Sequence, residues 1–128
     1  MRRLASVLLS AVLAAPAATA AGPACTTERL AVPRAPVVLT LCPLGPPVHA
    51  PGGEILLAVR ERAAGPTGMI DRTVRLRFLA NEPISRAIED LDLAPLGGTG
   101  TLHLTLVFRD GTVAVESAIL TPGAVVVK

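Results

Sequence analysis

The stretch LHLTLVFRDGTVAVESAIL, residues 102–120, decides the fold class of this chain. Two runs in which apolar residues alternate with others flank Asp110-Gly111, and an Asp-Gly pair in that setting is a strong signal for a two-residue type I′ turn. With such a turn, Phe108 lies opposite Val113, and one face of the hairpin becomes almost wholly apolar because side chains alternate between faces. The stretch therefore predicts an antiparallel β-hairpin with one face in the core.

The same register assigns positions to the polar residues of the hairpin. His103 falls on the polar face with Thr105 and Glu116, whereas Ser117 lies opposite Leu104 on the apolar face. Glu116 is a diagonal neighbour of His103, and such neighbours are about 7–8 Å apart, too far for a direct hydrogen bond without extra reach. We therefore expect His103 to be an exposed residue and a candidate for surface binding, and Ser117 to be a buried hydroxyl.

Three further runs have the composition of strands, and turn-forming clusters separate them. Residues 37–42 are rich in β-branched residues, residues 54–62 place alternate apolar residues on one face, and residues 73–79 alternate throughout. In this last run, TVRLRFL, the apolar side chains point one way, so Arg75 and Arg77 point to the other face. Arg75 and Arg77 are therefore candidates for a binding surface, with solvated arginines of no special role as the alternative.

Residues 84–93, ISRAIEDLDL, fit two secondary structures. Ile84, Ala87, Ile88 and Leu91 form a helical stripe, whereas Leu91 and Leu93 alternate with acidic residues as in a strand. We expect a strand, with one helical turn before it as a further option. The acidic residues of this region lack the spacing of a calcium loop and are interpreted as a solvated face. They are Glu82, Glu89, Asp90 and Asp92.

The run LDLAPLGGTGTLHLTLVF, residues 91–108, is similar to the strand–loop–strand rhythm of bacterial immunoglobulin-like modules. The resemblance covers less than a fifth of the chain, and the Trp between the two cysteines of antibody domains is absent. Together with the short strands, it implies an all-β, immunoglobulin-like antiparallel β-sandwich of about seven strands. We expect residues 21–128 to form this single domain.

The N-terminal residues have the pattern of a secretory signal peptide. Arg2 and Arg3 precede an apolar run, residues 4–15, that is too short to span a bilayer, and Ala18-Thr19-Ala20 matches a small-x-small cleavage site. We expect residues 1–20 to be removed by cleavage between Ala20 and Ala21. The mature protein is then secreted or periplasmic, with no membrane span left.

Cys25 and Cys42 are the only cysteines of the chain. An even pair in an exported protein predicts a disulfide, because the compartment is oxidising. A redox or metal pair would have the close C-x-x-C spacing, which these two residues lack.

Composition argues against several classes of function. Loss of Arg2 and Arg3 with the signal peptide leaves ten basic against ten acidic residues, so no basic surface favours nucleic acid. Phe78 and Phe108 are the only aromatic residues, so stacking on bases or sugars is poorly provided for. No G-x-S-x-G motif and no ligand spacing occur, so we expect no enzyme activity, no cofactor and no metal.

These observations favour an exported, non-catalytic small β-sandwich protein. We expect a binding or structural module of the bacterial cell envelope, whose partner is an envelope or secreted protein. The alternative is a periplasmic metal- or small-ligand-binding protein that uses His49, His103 and Met69, provided that the fold brings these residues together.

Overall fold

The structure is a computed structural model that describes residues 24–123 and 125–128. The predicted signal peptide and its cleavage between Ala20 and Ala21 lie outside the described residues. The described part contains nine strands and one short 3₁₀ helix, Ala94–Leu96. The strands are β1 (Thr26–Leu30), β2 (Val37–Pro43), β3 (Val48–His49), β4 (Ile55–Ala64), β5 (Met69–Ala80), β6 (Ser85–Asp92), β7 (Thr101–Arg109), β8 (Thr112–Thr121) and β9 (Val125–Val126). None of the helical segments in this part is long and apolar enough to cross a membrane.

All strand pairs are antiparallel, and the sheet follows the order β9-β8-β7-β6-β5-β4-β2-β1, with β3 paired to β4. The predicted all-β antiparallel class is therefore confirmed. Neighbours in the sheet are consecutive along the chain except where β3 branches off. An immunoglobulin domain has Greek-key connections instead, so the immunoglobulin-like part of the prediction is not confirmed.

The sheet curls until its first strand lies beside its eighth. The hydroxyl of Thr26 on β1 donates to the carbonyl of Val113 on β8, and the N–H of Val115 donates to Glu28 Oε2 at 3.1 Å. Further along this line, the N–H of Ala31 donates to the carbonyl of Val127 at 3.2 Å. These bonds satisfy backbone groups that an open edge would leave unpaired.

The curled sheet encloses an aliphatic core. Alternate residues of the strands point inward, as their period of two requires. The two phenylalanines, Phe78 and Phe108, pack against each other with ring centroids 5.5 Å apart. The fully buried leucines supply most of the remaining volume and are Leu39, Leu41, Leu91, Leu93, Leu96, Leu102, Leu104 and Leu106.

The predicted disulfide is present between Cys25 and Cys42. Thr26 on β1 pairs with Leu41 on β2, so Cys25 and Cys42 lie opposite each other at the next position of the same hairpin. The bridge therefore fastens the first strand of the sheet to the second.

Residues 85–92 of the ambiguous region 84–93 form the strand β6, and the helical alternative is wrong. The single helical turn of this region follows β6 instead of preceding it. It packs against the tip of the β4–β5 hairpin so closely that a Cβ atom on Gly65 or Gly68 would collide with the carbonyls of Leu96 and Pro95. These contacts close one end of the domain.

The β7–β8 hairpin has the predicted turn, with positive φ angles at Asp110 (55°) and Gly111 (79°). The predicted register holds from Arg109–Thr112 to Leu106–Val115. Beyond this point it is wrong, because a β-bulge shifts the pairing and Thr105 lies opposite Ser117. The extra residue on β8 is Glu116.

The bulge changes which side chains of β8 reach the core. Ala118 becomes fully buried and Leu120 packs against the core. Ser117, predicted to be buried opposite Leu104, instead shares the outward face with Thr105. The physical reason is that one inserted residue reverses the alternation of every later side chain.

Candidate functional site

A loop of four residues, 44–47, interrupts one strand of the sheet. Before the loop, Pro43 pairs with Val59 of β4, and after it Val48 pairs with Leu56. Strand β3 therefore continues the line of β2 beside the same neighbour, β4, and the loop between them projects out of the sheet. Gly45-Pro46-Pro47 suits such an excursion, because proline cannot donate to a ladder and glycine tolerates unusual backbone angles.

A groove of about 430 Å³ runs between this loop and the outer face of β4 and β5. Leu44, Val48 and Leu56 line it and are exposed, although each is a large apolar side chain. Arg75 and Arg77 of β5 lie along the other side of the groove. We call this feature the loop groove; its lining residues are Leu44, Gly45, Pro46, Val48, Leu56, Leu57, Ala58, Arg75, Leu76 and Arg77.

The two arginines of the loop groove are predicted site residues, and the structure places both in one exposed row. Arg75 pairs with Ala58 and Arg77 with Leu56 across the β4–β5 ladder, so their guanidinium groups project from the outer face beside the apolar wall. Arg77 Nη1 lies 3.5 Å from Glu54 Oε2, and 65% of the Arg77 side chain and 36% of the Glu54 side chain are exposed. Within residues 24–123 and 125–128, no carboxylate lies within 4.0 Å of the Arg75 guanidinium.

Two other outer-face arginines, Arg60 and Arg86, are already paired with carboxylates. Arg60 binds Asp71 through two hydrogen bonds of 3.0 and 2.7 Å, which hold the pKa of the Asp71 carboxyl below its ordinary value. Arg86 binds Glu116 in the same two-point manner at 2.7 and 3.0 Å, and these bonds lower the pKa of Glu116. Arg75 is the contrasting case, with its charge available to a ligand.

A second cavity of about 470 Å³ lies on the other side of the same loop, at the end of the curled sheet. Pro43 and Pro47 line it together with Phe108 and the tip of the β7–β8 hairpin, Asp110–Thr112. Its walls are largely apolar. The two cavities share Gly45, Pro46 and Leu57, so the loop is a common wall of both.

His103 lies on the outward face as predicted, but its partner differs from the one considered. Its Nδ1 lies 2.6 Å from Asp90 Oδ1, and its Nε2 lies 2.7 Å from Thr121 Oγ1. Asp90 stands directly opposite His103 in the β6–β7 ladder. Glu116, the diagonal candidate, is held by Arg86 instead.

Asp90, His103 and Thr121 form a row of hydrogen bonds that joins a carboxylate, an imidazole and a hydroxyl. The same three groups make up an activated nucleophile. These three residues lie on an open face of the sheet, where 44% of the His103 side chain and 60% of the Asp90 side chain are exposed. None of the three lines either cavity. We therefore interpret these hydrogen bonds as a structural tie, a set of side-chain links that joins β6, β7 and β8.

Replacement of His103 by alanine tests this interpretation. We expect the free energy of unfolding to fall by about 1 kcal/mol, the ordinary net value of a solvent-accessible hydrogen-bond pair. Urea unfolding at constant pH measures the change. His49→Ala is the matched control, because His49 is exposed on β3, and it should change stability by less than about 0.5 kcal/mol. Equal losses in the two variants would contradict a tie at His103.

The residues of the metal-binding alternative are not brought together. His49 pairs with Ile55 at one end of β4, and Met69 pairs with Ala64 at the other. Because β4 has 10 residues, its ends are about 30 Å apart at about 3.3 Å per residue. In the described part of the chain, no three His, Cys, Asp or Glu residues are grouped as metal ligands.

A cluster of charged residues lies inside the sheet, and the sequence interpretation missed it. Glu61 of β4 is fully buried, and Glu89 of β6 keeps 10% of its side chain exposed. Arg72 of β5 lies between them and donates to Glu61 Oε1 at 2.8 Å and to Glu89 Oε2 at 3.2 Å. The interpretation of Glu89 as part of a solvated acidic face is therefore wrong.

Comparisons with protein-family models, curated proteins and solved structures found no match to this chain. The function is therefore inferred from the geometry of these sites.

The alternation in the sequence carried a signal for the buried cluster. In residues 54–62, Glu61 follows Leu57 and Val59 at steps of two, and in β5 Arg72 precedes Val74 at the same step. Both charged residues therefore continue apolar rows. The loop groove had no comparable signal, because it depends on where the strand resumes after the 44–47 loop.

Proposed function

We propose that this chain is an exported, non-catalytic binding module of the bacterial cell envelope, and that the loop groove is its binding surface. The observation that carries the proposal is the pairing of an exposed apolar wall, Leu44, Val48 and Leu56, with the arginines Arg75 and Arg77. Exposed apolar surface beside placed polar groups is typical of a site that takes a partner. The signal-peptide pattern and the disulfide support export.

Charge complementarity indicates the chemistry of the partner. Arg75 has a guanidinium that is free to form charge-assisted hydrogen bonds, and carboxylates are its natural acceptors. The apolar wall beside it favours aliphatic side chains. We therefore propose that the groove binds an acidic, aliphatic segment of an envelope or secreted protein. The groove is lined by aliphatic, Gly, Pro and Arg residues, which suits binding and offers no nucleophile.

A direct binding measurement tests this function. The mature chain, residues 21–128, is titrated into a labelled octapeptide of Glu and Leu, with a peptide of Lys and Leu as the reversed-charge probe. We expect only the acidic peptide to bind, and its affinity to fall as ionic strength rises, because exposed charges are screened. Replacement of Arg75 and Arg77 by glutamine should weaken binding at least about tenfold, the effect of about 1.4 kcal/mol.

The matched control is Arg29→Gln with Arg34→Gln, which removes two exposed arginines outside the groove. This variant should bind like the wild type. Equal affinity for both peptides, or equal losses in the two double variants, would contradict the proposed surface. Binding of dodecanoate but not of either peptide, lost with Arg75 and Arg77, would replace the protein partner by a small amphipathic anion.

A further inference from the structure

The buried cluster of Glu61, Arg72 and Glu89 occupies a gap in the sheet. Strands β5 and β6 pair only at Leu79–Arg86 and Ala80–Ser85. Over the rest of its length β5 pairs with β4, and β6 pairs with β7. Arg72 lies beyond the last β5–β6 pair, and its hydrogen bond to Glu89 is a side-chain link across this seam.

Each carboxyl group of the cluster has one oxygen that Arg72 does not reach. Arg72 satisfies one oxygen of each carboxyl group, but Glu61 Oε2 and Glu89 Oε1 are buried and receive no hydrogen bond from any residue that the structure describes. Buried polar atoms are nearly always paired, because an unpaired one loses its hydrogen bonds to water without replacement, and the loss is larger when the atom is charged. Two ionised carboxylates beside one guanidinium would also leave one net negative charge in the interior.

A single proton resolves both problems. A protonated carboxyl group is a donor as well as an acceptor, so its O–H can bond the unpaired oxygen of the other carboxylate. The cluster then has one negative and one positive charge. The pKa of Glu89 is raised to about 8, first by burial and then by the hydrogen bond and the negative charge of Glu61. The positive charge and the hydrogen bond of Arg72 lower this pKa but do not outweigh the other effects.

We propose that Glu61 and Glu89 share one proton at neutral pH, and that loss of this proton loosens the seam between β5 and β6. The pair is a proton-operated latch inside the fold. Two carboxylates close enough to share a proton repel each other once both are ionised, and Arg72 can neutralise only one of them. The repulsion acts on a seam where two neighbouring strands, β5 and β6, pair at only two positions.

In the described part of the chain, Glu61 and Glu89 form ion pairs with no charged side chain other than Arg72. Inward positions of β2 and β7 beside the cluster are apolar, with Leu41 paired to Glu61 and Leu104 paired to Glu89. The inward residues of β8 and of the 3₁₀ helix are aliphatic as well. The remaining charged neighbours lie on the outer face or at the β1–β8 edge and are Arg60, Arg62, Asp71, Asp90, Glu28 and Lys128.

The sign of the pH dependence follows from proton uptake on folding. The pKa of Glu89 rises from 4.5 to about 8 in the folded chain, so the folded state binds more protons between these values. The stabilisation is complete below pH 4.5 and is lost as the pH rises to about 8. For one proton, the unfolding equilibrium constant increases by at most about tenfold per pH unit in this interval.

The test combines unfolding with a direct measurement of the proton. Urea unfolding between pH 4.5 and 8.5 should show falling stability in the wild type and a flatter profile in Glu89→Gln, because the amide donates as the protonated acid does. Glu82→Gln, an exposed glutamate in a loop, is the matched control and should follow the wild type. Hydrogen exchange should show the amides of β5 and β6 beside the seam losing protection as the pH rises.

Carboxyl ¹³C NMR of the wild type needs no variant and covers the case in which Glu89→Gln does not fold. One glutamate signal that titrates near neutral pH or above supports the latch. Titration of every glutamate in the ordinary range near pH 4, or a Glu89→Gln profile as steep as that of the wild type, overturns it.

Discussion

Replacing Arg72 by methionine lowers the free energy of unfolding by about 3 kcal/mol at pH 8. The substitution leaves Glu61 and Glu89 without the only cation that contacts them in the described part of the chain. Removal of one partner from a buried ion pair costs about 3–5 kcal/mol because an uncompensated charge stays behind. We expect the lower end of this range, since 42% of the Arg72 side chain is exposed.

The cost should depend on pH in a defined direction. At pH 5, below its pKa of about 8, Glu89 carries a proton and less uncompensated charge stays behind, so the loss is smaller than at pH 8. Urea unfolding of the wild type and of Arg72→Met at the two pH values measures the difference. A loss that is equal at both values would mean that Arg72 contributes by packing alone.

The same strand offers a matched control. Arg75→Met removes a guanidinium from the outer face of β5, three residues away, and should change stability by less than about 0.5 kcal/mol. A variant that makes all three positions apolar, Glu61→Leu with Arg72→Met and Glu89→Leu, should recover most of the loss, because apolar replacements of a buried ionic cluster are often neutral or stabilising. If this variant is less stable than Arg72→Met alone, the carboxyl groups are not the source of the cost.

Removal of the disulfide has the second large effect. Cys25→Ser with Cys42→Ser should lower the free energy of unfolding by about 3 kcal/mol, the chain-entropy value for a loop of this length. The separation of the two cysteines is 17 residues. Unfolding of the double variant by urea, compared with the wild type, measures the loss.

The loss should also have a location. The bridge holds the start of β1, and Thr26 and Glu28 of that strand make the contacts with β8 that close the curled sheet. Hydrogen exchange should therefore increase in β1 and in the facing edge of β8 before it increases in β4 and β5. The wild type treated with a thiol reductant is the control and should match the double variant. A uniform increase over the domain would mean that the bridge does not act through this closure.

Local patterns predicted the parts of the fold that depend on neighbouring residues. The alternation in residues 73–79 placed Arg75 and Arg77 on one face, and the Asp110-Gly111 pair predicted a turn with positive φ angles. These features need only the period of the strand and the steric freedom of the turn residues. The disulfide followed from cysteine count and the expected compartment.

Features that join distant strands were predicted less well. Glu116 was aligned with the wrong neighbour because a β-bulge has no clear mark in the sequence and reverses every later side chain. Asp90 was not recognised as the partner of His103, since their pairing depends on the register between β6 and β7.

The sequence by itself determined an all-β chain, the outward face of Arg75 and Arg77 on β5, the turn at Asp110-Gly111 and the bridge between Cys25 and Cys42. Tertiary structure alone decided the meander order, the closure of β1 onto β8, the loop groove and the meeting of Glu61, Arg72 and Glu89. The physical reason is that the direction of a side chain in a strand is a local property with a period of two, whereas the side chains it meets are set by pairing between strands that lie far apart along the chain.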